Sequence, residues 1–229
     1  MGIEKHNKIM DKLVYLTNSG EYQKAIDLLD QELTIDPKNA LIWWAKGKTI
    51  SMSVVGATAG RNILTSENLP ADHESKLAWF HNALRCFDKA LEINPDLDVV
   101  YESKSLTLSR MGKKNDAIEC GLRAIEINPN NFVVLANLAK WYNDLEDYDN
   151  GLKYSNKILS QNSLSSKMLS KDHLAGVYFN KAQSQFNQND PDFKNSMTLA
   201  IRTTTNYYEK QQYKEQIEKM TSFFRDPYD

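Results

Sequence analysis

The sequence predicts an all-α chain, a solenoid of stacked helices. Two observations carry this. Ala83, Phe87, Ala90 and Pro95 recur as Ala117, Gly121, Ala124 and Pro129, each 34 residues later. A period of that length, built on small residues, an apolar stripe and a closing proline, marks stacked helix-turn-helix units. Within one period, Ile118, Leu122, Ile125 and Ile127 recur near the 3.6-residue helical spacing.

The elements follow in order. The first unit, about residues 6–39, carries Ile9, Leu13 and Leu16, then Gly20, Tyr22 and Ala25, and stops at Asp36-Pro37. The second, about 40–97, carries Trp43, Gly47 and Ile50 and stops at Asn94-Pro95. The third, about 98–131, carries Tyr101, Ser105 and Leu108 and stops at Asn128-Pro129. Proline disfavours α geometry in the residue before it, so each helix ends there. The fourth unit, about 132–165, keeps Leu135, Ala139, Tyr142 and Tyr148. It puts Gly151 in the alanine slot and Ser163 where proline would fall. The fifth, about 173–206, rests mainly on Tyr178 and Ala182. Each trio is large, then small, then usually apolar, so that paired helices interdigitate. Gly20 and Gly112 each stand five residues before their alanine, where a turn must join two helices.

Two stretches break the period. Pro37 and Pro95 are 58 residues apart, 24 more than one repeat, and the excess lies between Gly47 and Ala83. A structureless loop of that length is uncommon in a compact domain. Two lengthened helices, about 40–58 and 70–93, are expected around an insertion near 54–78, with Pro70 in a first helical turn. A plain surface excursion is the competing reading. A further nine or so residues near QNSLSSKMLSK suggest a linker or frayed helix ends. At the end of the chain, about 207–225, Tyr213, Ile217, Met220 and Phe224 form an apolar stripe. Glu209, Lys210, Lys214, Glu215 and Glu218 give it the polar outer face that a terminal solenoid element needs. This reads as a capping helix, or alternatively as a docking helix for a second subunit.

These residues resemble the tetratricopeptide repeat family over roughly 6–206, most strongly in the units ending at Pro37, Pro95 and Pro129. The resemblance implies a right-handed superhelix of antiparallel helix pairs, here a single domain over 1–229, in a family whose members mostly bind peptides or proteins. It also implies that the first helix of each pair lines a concave groove. Residues one place after the large packing residue then face inward: Trp44, Glu102, Ala136 and Phe179. One turn further on come Lys48, Leu106, Lys140 and Gln183, with Arg110 nearby. Trp44 and Phe179 are the candidate anchors, since interface hot spots favour aromatic and Arg residues. Packing of Trp44 against the insertion is the competing reading. Chaperone-binding members clamp a terminal carboxylate with lysines and asparagines. The matching places hold Met10, Val14, Ala45, Val99 and Ser103, or one unit later Trp44, Lys48, Ser103, Val133 and Asn137. The clamp is absent, and no specific binding of acidic C-terminal chaperone tails is expected.

Composition narrows the function. The chain of 229 residues is 41% apolar and 25% charged, with 28 basic against 30 acidic residues. Nucleic-acid binding usually leaves a basic footprint, and none is visible. The uncharged stretch from Thr49 to Gly60 is too short and polar to span a bilayer. The N-terminus lacks an apolar core and a cleavage site, and His6 stands where a myristoylation signal wants serine or threonine. The expectation is therefore a cytoplasmic protein, without membrane or nucleic-acid partner. Cys86 and Cys120, 34 apart, occupy equivalent sites on successive helices, too far apart to bridge.

No HExxH, GxSxG, phosphate loop or CxxC appears. His73 and His81 on one helix would lie about 12 Å apart, too far to share an ion. No metal or cofactor is expected. The reading is a non-enzymatic scaffold that binds a protein or peptide in its groove. The alternative is a regulatory or ligand-sensing subunit whose extended second unit closes over a small ligand or controls a partner enzyme. Open-ended stacks can also pair through terminal helices into a homo-oligomer.

Overall fold

The computed structural model describes residues 2–58, 72–161, 165 and 167–223. Among them it forms eleven α-helices and no strand. The fold class is the expected one: all-α, built from antiparallel helix pairs in series as in an α-solenoid. The chain divides into two compact units, Met1–Ile127 and Asn128–Asp229.

The first unit holds α1 (Gly2–Asn18), α2 (Tyr22–Ile35), α3 (Ala40–Thr58), α4 (His73–Ile93), α5 (Asp98–Arg110) and α6 (Lys114–Ile127). Each helix packs on the next. The prolines act as expected. Asp36 and Asn94 leave helical geometry, with ψ of 83° and 101°, the extended conformation that a following proline enforces. Their side-chain oxygens, and that of Asn128, each accept the backbone N–H two residues on. The same small turn therefore closes all three units.

The period break is visible in helix lengths. α3 has 19 residues against 13 in α5, and α4 has 21 against 14 in α2 and α6. Residues 59–71, including Gly60 and Pro70, lie outside the described residues. α4 begins at His73, three residues later than the sequence suggests. Asp72 caps it, its carboxylate accepting the Ser75 N–H at 2.8 Å. Where α3 meets α4, Gly47 is required. A Cβ there would lie 2.6 Å from the Phe87 ring and 2.9 Å from the Ala83 carbonyl oxygen. Phe87, Ala83 and Ala90 are fully buried in that contact.

The second unit holds α7 (Phe132–Asp144), α8 (Tyr148–Leu159), α9 (Lys171–Asn187), α10 (Phe193–Thr203) and α11 (Tyr207–Ser222). α9 packs on α7, α8 and α10, and α11 packs on α10. Residues 162–164 and 166, within the stretch read as a linker, lie outside the described residues, as does Phe224 of the capping stripe. The rest of that stripe is buried or half-buried: Tyr213, Ile217 and Met220 join Ala182, Phe193 and Met197 in one apolar cluster.

Four helix pairs share one turn. Gly20 and Gly112 have φ of 77° and 78°, and Glu146 and Asn189 take 62° and 57°. In each case the next residue donates its N–H five residues back: Glu21 to Leu16, Lys113 to Leu108, Asp147 to Tyr142 and Asp190 to Gln185, at 2.8–3.0 Å. This is the Schellman closure of a helix C-terminus. The second unit keeps it without glycine, at two residues held in the left-handed region.

Candidate partner-binding site

α3 presents two faces. Trp43, Lys46 and Ile50 recur at three and four residues along one. Trp44, Lys48 and Ser51 recur at four and three along another. The second face builds a cavity of about 420 Å³ with α5. It gathers Trp44, Lys48, Glu102, Leu106 and Arg110, five of the eight residues picked from the sequence, with Met52, Val99 and Ser103 completing the wall.

Hydrogen bonds fix these side chains. The Trp44 indole N–H donates to Ser103 Oγ at 2.8 Å, and Ser103 Oγ donates to the Val99 carbonyl at 2.8 Å. Trp44 is thus pinned to α5 across 59 residues of sequence. The Lys48 ammonium stands 5.0 Å from the centre of the Trp44 ring, within cation–π range. A second relay runs beside the first. Thr107 Oγ1 donates to the Ser103 carbonyl at 2.9 Å. Its proton is then committed, so the 3.0 Å contact between Ser51 and Thr107 carries the Ser51 proton. That leaves Ser51 Oγ to accept from Arg110 Nη1 at 3.1 Å. Burial lowers the Arg110 guanidinium from its ordinary range. Ser51 is its sole hydrogen-bond partner among the described residues. A guanidinium retains its charge in proteins and has five donors, so most of its bonding capacity is uncommitted.

A smaller cavity of about 210 Å³ adjoins this one. α1 supplies its far wall through Met10, Leu13, Val14 and Thr17, while Trp44, Lys48 and Met52 are shared. The Trp44–Lys48–Met52 edge of α3 therefore stands between an apolar recess toward α1 and a cationic one toward α5. Sequence reasoning missed Ser51, Met52 and Thr107. Ser51 lies seven residues after Trp44, two helical turns on the same face, which is the signal that could have found it.

The other predicted residues lie in the second unit. Lys140 and Phe179 line a cavity of about 430 Å³ with Asn180, Glu209 and Tyr213. Gln183 lines neither of these cavities. Phe179 is stacked on Tyr213 of α11, with ring centres 4.8 Å apart and planes 19° from parallel. The capping helix thus occupies one face of that ring. Lys140 pairs with Asp144 at 2.7 Å. Burial, followed by the charges of Glu209 and Asp172, pushes the Tyr213 hydroxyl up to about 12.

Cys86 and Cys120 are free, and burial raises both thiols. No group of three metal-ligating side chains occurs among the described residues. Asp72 serves as a helix cap, and His81 Nδ1 lies 2.8 Å from the Leu77 carbonyl. Among the described residues no helix is long and apolar enough to cross a membrane.

Comparison with known proteins agrees with the fold. The family model named Tetratricopeptide repeat matches residues 99–131. No curated protein matches the chain. Among solved structures, that of MamA protein is 17% identical with a TM-score of 0.61, over 89% of this chain and 93% of that one. YrrB, described as a TPR protein with an unusual peptide-binding site, is 14% identical with a TM-score of 0.61, over 90% of each. The Naa15/Naa10 complex bound to HypK-THB gives 13% and 0.54, over 88% of this chain and 26% of that one. The structure is therefore of the tetratricopeptide-repeat class. The match to the repeat model lies over α5 and α6, and the identities to the solved structures are low enough that their likeness shows the fold alone.

Proposed function

We propose that the chain is a non-enzymatic scaffold that holds a protein or peptide in the recess between α3 and α5. One observation carries the reading. Five side chains chosen only for their place in the repeat converge on one cavity, and two hydrogen-bonded relays hold its aromatic and guanidinium members in place. Such preorganisation lowers the entropy lost when a partner docks. An aromatic anchor beside an uncommitted arginine is the composition of an interface hot spot. The peptide-binding site named for YrrB supports the same reading by analogy of fold. Lys140, Phe179 and Gln183 lie in the other compact unit and are not part of this recess, and Tyr213 already covers part of Phe179.

The test is affinity purification from the native host with the wild-type chain, Trp44→Ala and Arg110→Glu, each checked for folding by circular dichroism. The expected result is one or more partners lost with both variants. Partners retained at wild-type levels by both would overturn the site. The regulatory alternative depends on residues 54–78, of which 59–71 lie outside the described residues.

A further inference from the structure

The first face of α3 lines a cavity of about 440 Å³, with walls from α2 and α4. Trp43 and Trp79 bring two indole faces to it. Lys46, Arg85 and Lys89 bring three cations, and no lining residue is acidic. Trp43 is fixed by its N–H, which donates to the Pro37 carbonyl at 2.9 Å. The Trp79 N–H meets no acceptor among the described residues. Lys46 pairs with Asp30 and Lys89 with Glu92. Arg85 bonds to the Asn82 side chain and meets no carboxylate among the described residues.

The repeat itself separates scaffold from surplus. Positions that serve packing recur one unit on: Ala83 as Ala117, Cys86 as Cys120, Ala90 as Ala124. Three positions of this cavity's wall change in kind one unit on. Trp79 is matched by Lys113, Asn82 by Asp116 and Arg85 by Glu119. Where the third unit places a lysine and two acids, the second places an aromatic ring, an amide and a cation. Trp79 also stands one residue before the start that α2 and α6 would give α4, on the turns that lengthen it. None of these differences is needed to build a helix pair.

We propose that this cavity is a second docking surface, independent of the α3–α5 recess, for an internal acidic segment of a partner protein. A bulky apolar side chain of the partner seats against Trp43 and Trp79. A flanking Asp or Glu side chain pairs with Arg85, the lining cation that meets no carboxylate among the described residues. The volume suits one large side chain with its neighbours, and the charge on the wall selects the acidic flanks.

A random-peptide library displayed on phage and selected on the full chain tests this, followed by fluorescence anisotropy with the enriched peptides made synthetically. The expected peptides pair an aromatic or large aliphatic residue with Asp or Glu. Their Kd weakens at least about tenfold, or about 1.4 kcal/mol, in Arg85→Glu and in Trp79→Ala. It is unchanged in Trp44→Ala. Replacing the acids of the peptide by lysine restores binding to Arg85→Glu. Arg85 is exposed, so that variant reads charge without disturbing the core even if Trp79→Ala folds poorly. Peptides that are lost with Trp44→Ala but indifferent to Arg85→Glu would overturn this proposal and leave the α3–α5 site standing. So would enriched peptides without acids, an empty selection, or a mass that doubles with concentration in the wild type and not in Arg85→Glu. The last result would mark the occupant as a second copy of the chain.

Discussion

Lys104 Nζ on α5 lies 2.6 Å from Asp88 Oδ1 on α4, and 58 residues earlier Lys46 on α3 meets Asp30 on α2 in the same way. Each pair joins the second helix of one unit to the first helix of the next. Burial opposes the Lys104 charge, but the Asp88 hydrogen bond and charge outweigh it, so its pKa is raised. The stabilisation is therefore complete below the ordinary lysine value of about 10.4 and is lost as pH rises through the higher folded value. A double-mutant cycle with Asp88→Asn and Lys104→Met should give a coupling of about 0.5–1 kcal/mol that shrinks in high salt. A coupling that salt does not change would mean the pair is held by packing and not by charge.

Gly151 is the departure from the repeat that the structure explains best. A Cβ there would overlap Asn143 Oδ1 and lie 2.9 Å from Ser184 Oγ. Those atoms form a buried knot: Asn143 Nδ2 donates to the Asn180 carbonyl at 2.7 Å, and Ser184 Oγ donates to Asn143 Oδ1 at 2.7 Å. Gly151→Ala should cost about 1–3 kcal/mol in urea unfolding, as overpacking does. In the Asn143→Ala background the same change should be neutral or stabilising, since alanine is the better helix former. An equal cost in both backgrounds would show that the amide is not what excludes the methyl group.

The first unit was readable because its packing is carried by residues with one structural meaning. Prolines stop helices, glycines take positive φ, and alanines mark close approach, so three closing prolines and two glycines located most of its helix ends. The second unit was harder to read because other residues do the same work. Glu146 and Asn189 turn where Gly20 and Gly112 turn in the first unit, and an Asn–Ser knot replaces an alanine contact. The recess toward α5 was legible as five positions on a periodic face. The relays that hold it were not, because Ser51, Ser103 and Thr107 are small polar residues whose partners sit on another helix. The outer cavity was invisible for a further reason. Trp79 lies on the turns that lengthen α4, ahead of the repeat's first packing alanine at Ala83.

Asp172 ties the start of α9 to the link between α10 and α11. Its carboxylate accepts the Thr205 N–H at 2.7 Å and the Thr204 and Thr205 hydroxyls at 3.0 Å. The Thr205 backbone bond, then those hydroxyls, hold its pKa below the usual aspartate value. The contribution is present above about pH 3.9, the unfolded value, and is lost as pH falls through the folded one. Amide exchange at Thr205 and Asn206, corrected for intrinsic rates, should accelerate in that acid range. In Asp172→Asn it should already be fast at neutral pH and change little on acidification. Equal protection in variant and wild type at neutral pH would dismiss the clasp.

The capping helix offers the opposite titration. Tyr213 on α11 stacks on Phe179, and its hydroxyl is pushed up to about 12, first by burial and then by Glu209 and Asp172. A tyrosine whose folded pKa exceeds the unfolded value of about 10 stabilises the docked helix fully below that value. The advantage is lost as pH rises from about 10 toward 12. α11 should therefore loosen in that window, seen as a rise in proteolysis within residues 207–222 when the chain is pulsed at high pH. Tyr213→Phe keeps the ring stack and has no proton to lose. Its cleavage should stay flat across the same window, apart from any change in the protease itself measured on an unstructured peptide. If Tyr213→Phe loosens with the same pH profile as the wild type, ionisation of this hydroxyl does not govern the cap, and the acids around it are the next groups to replace.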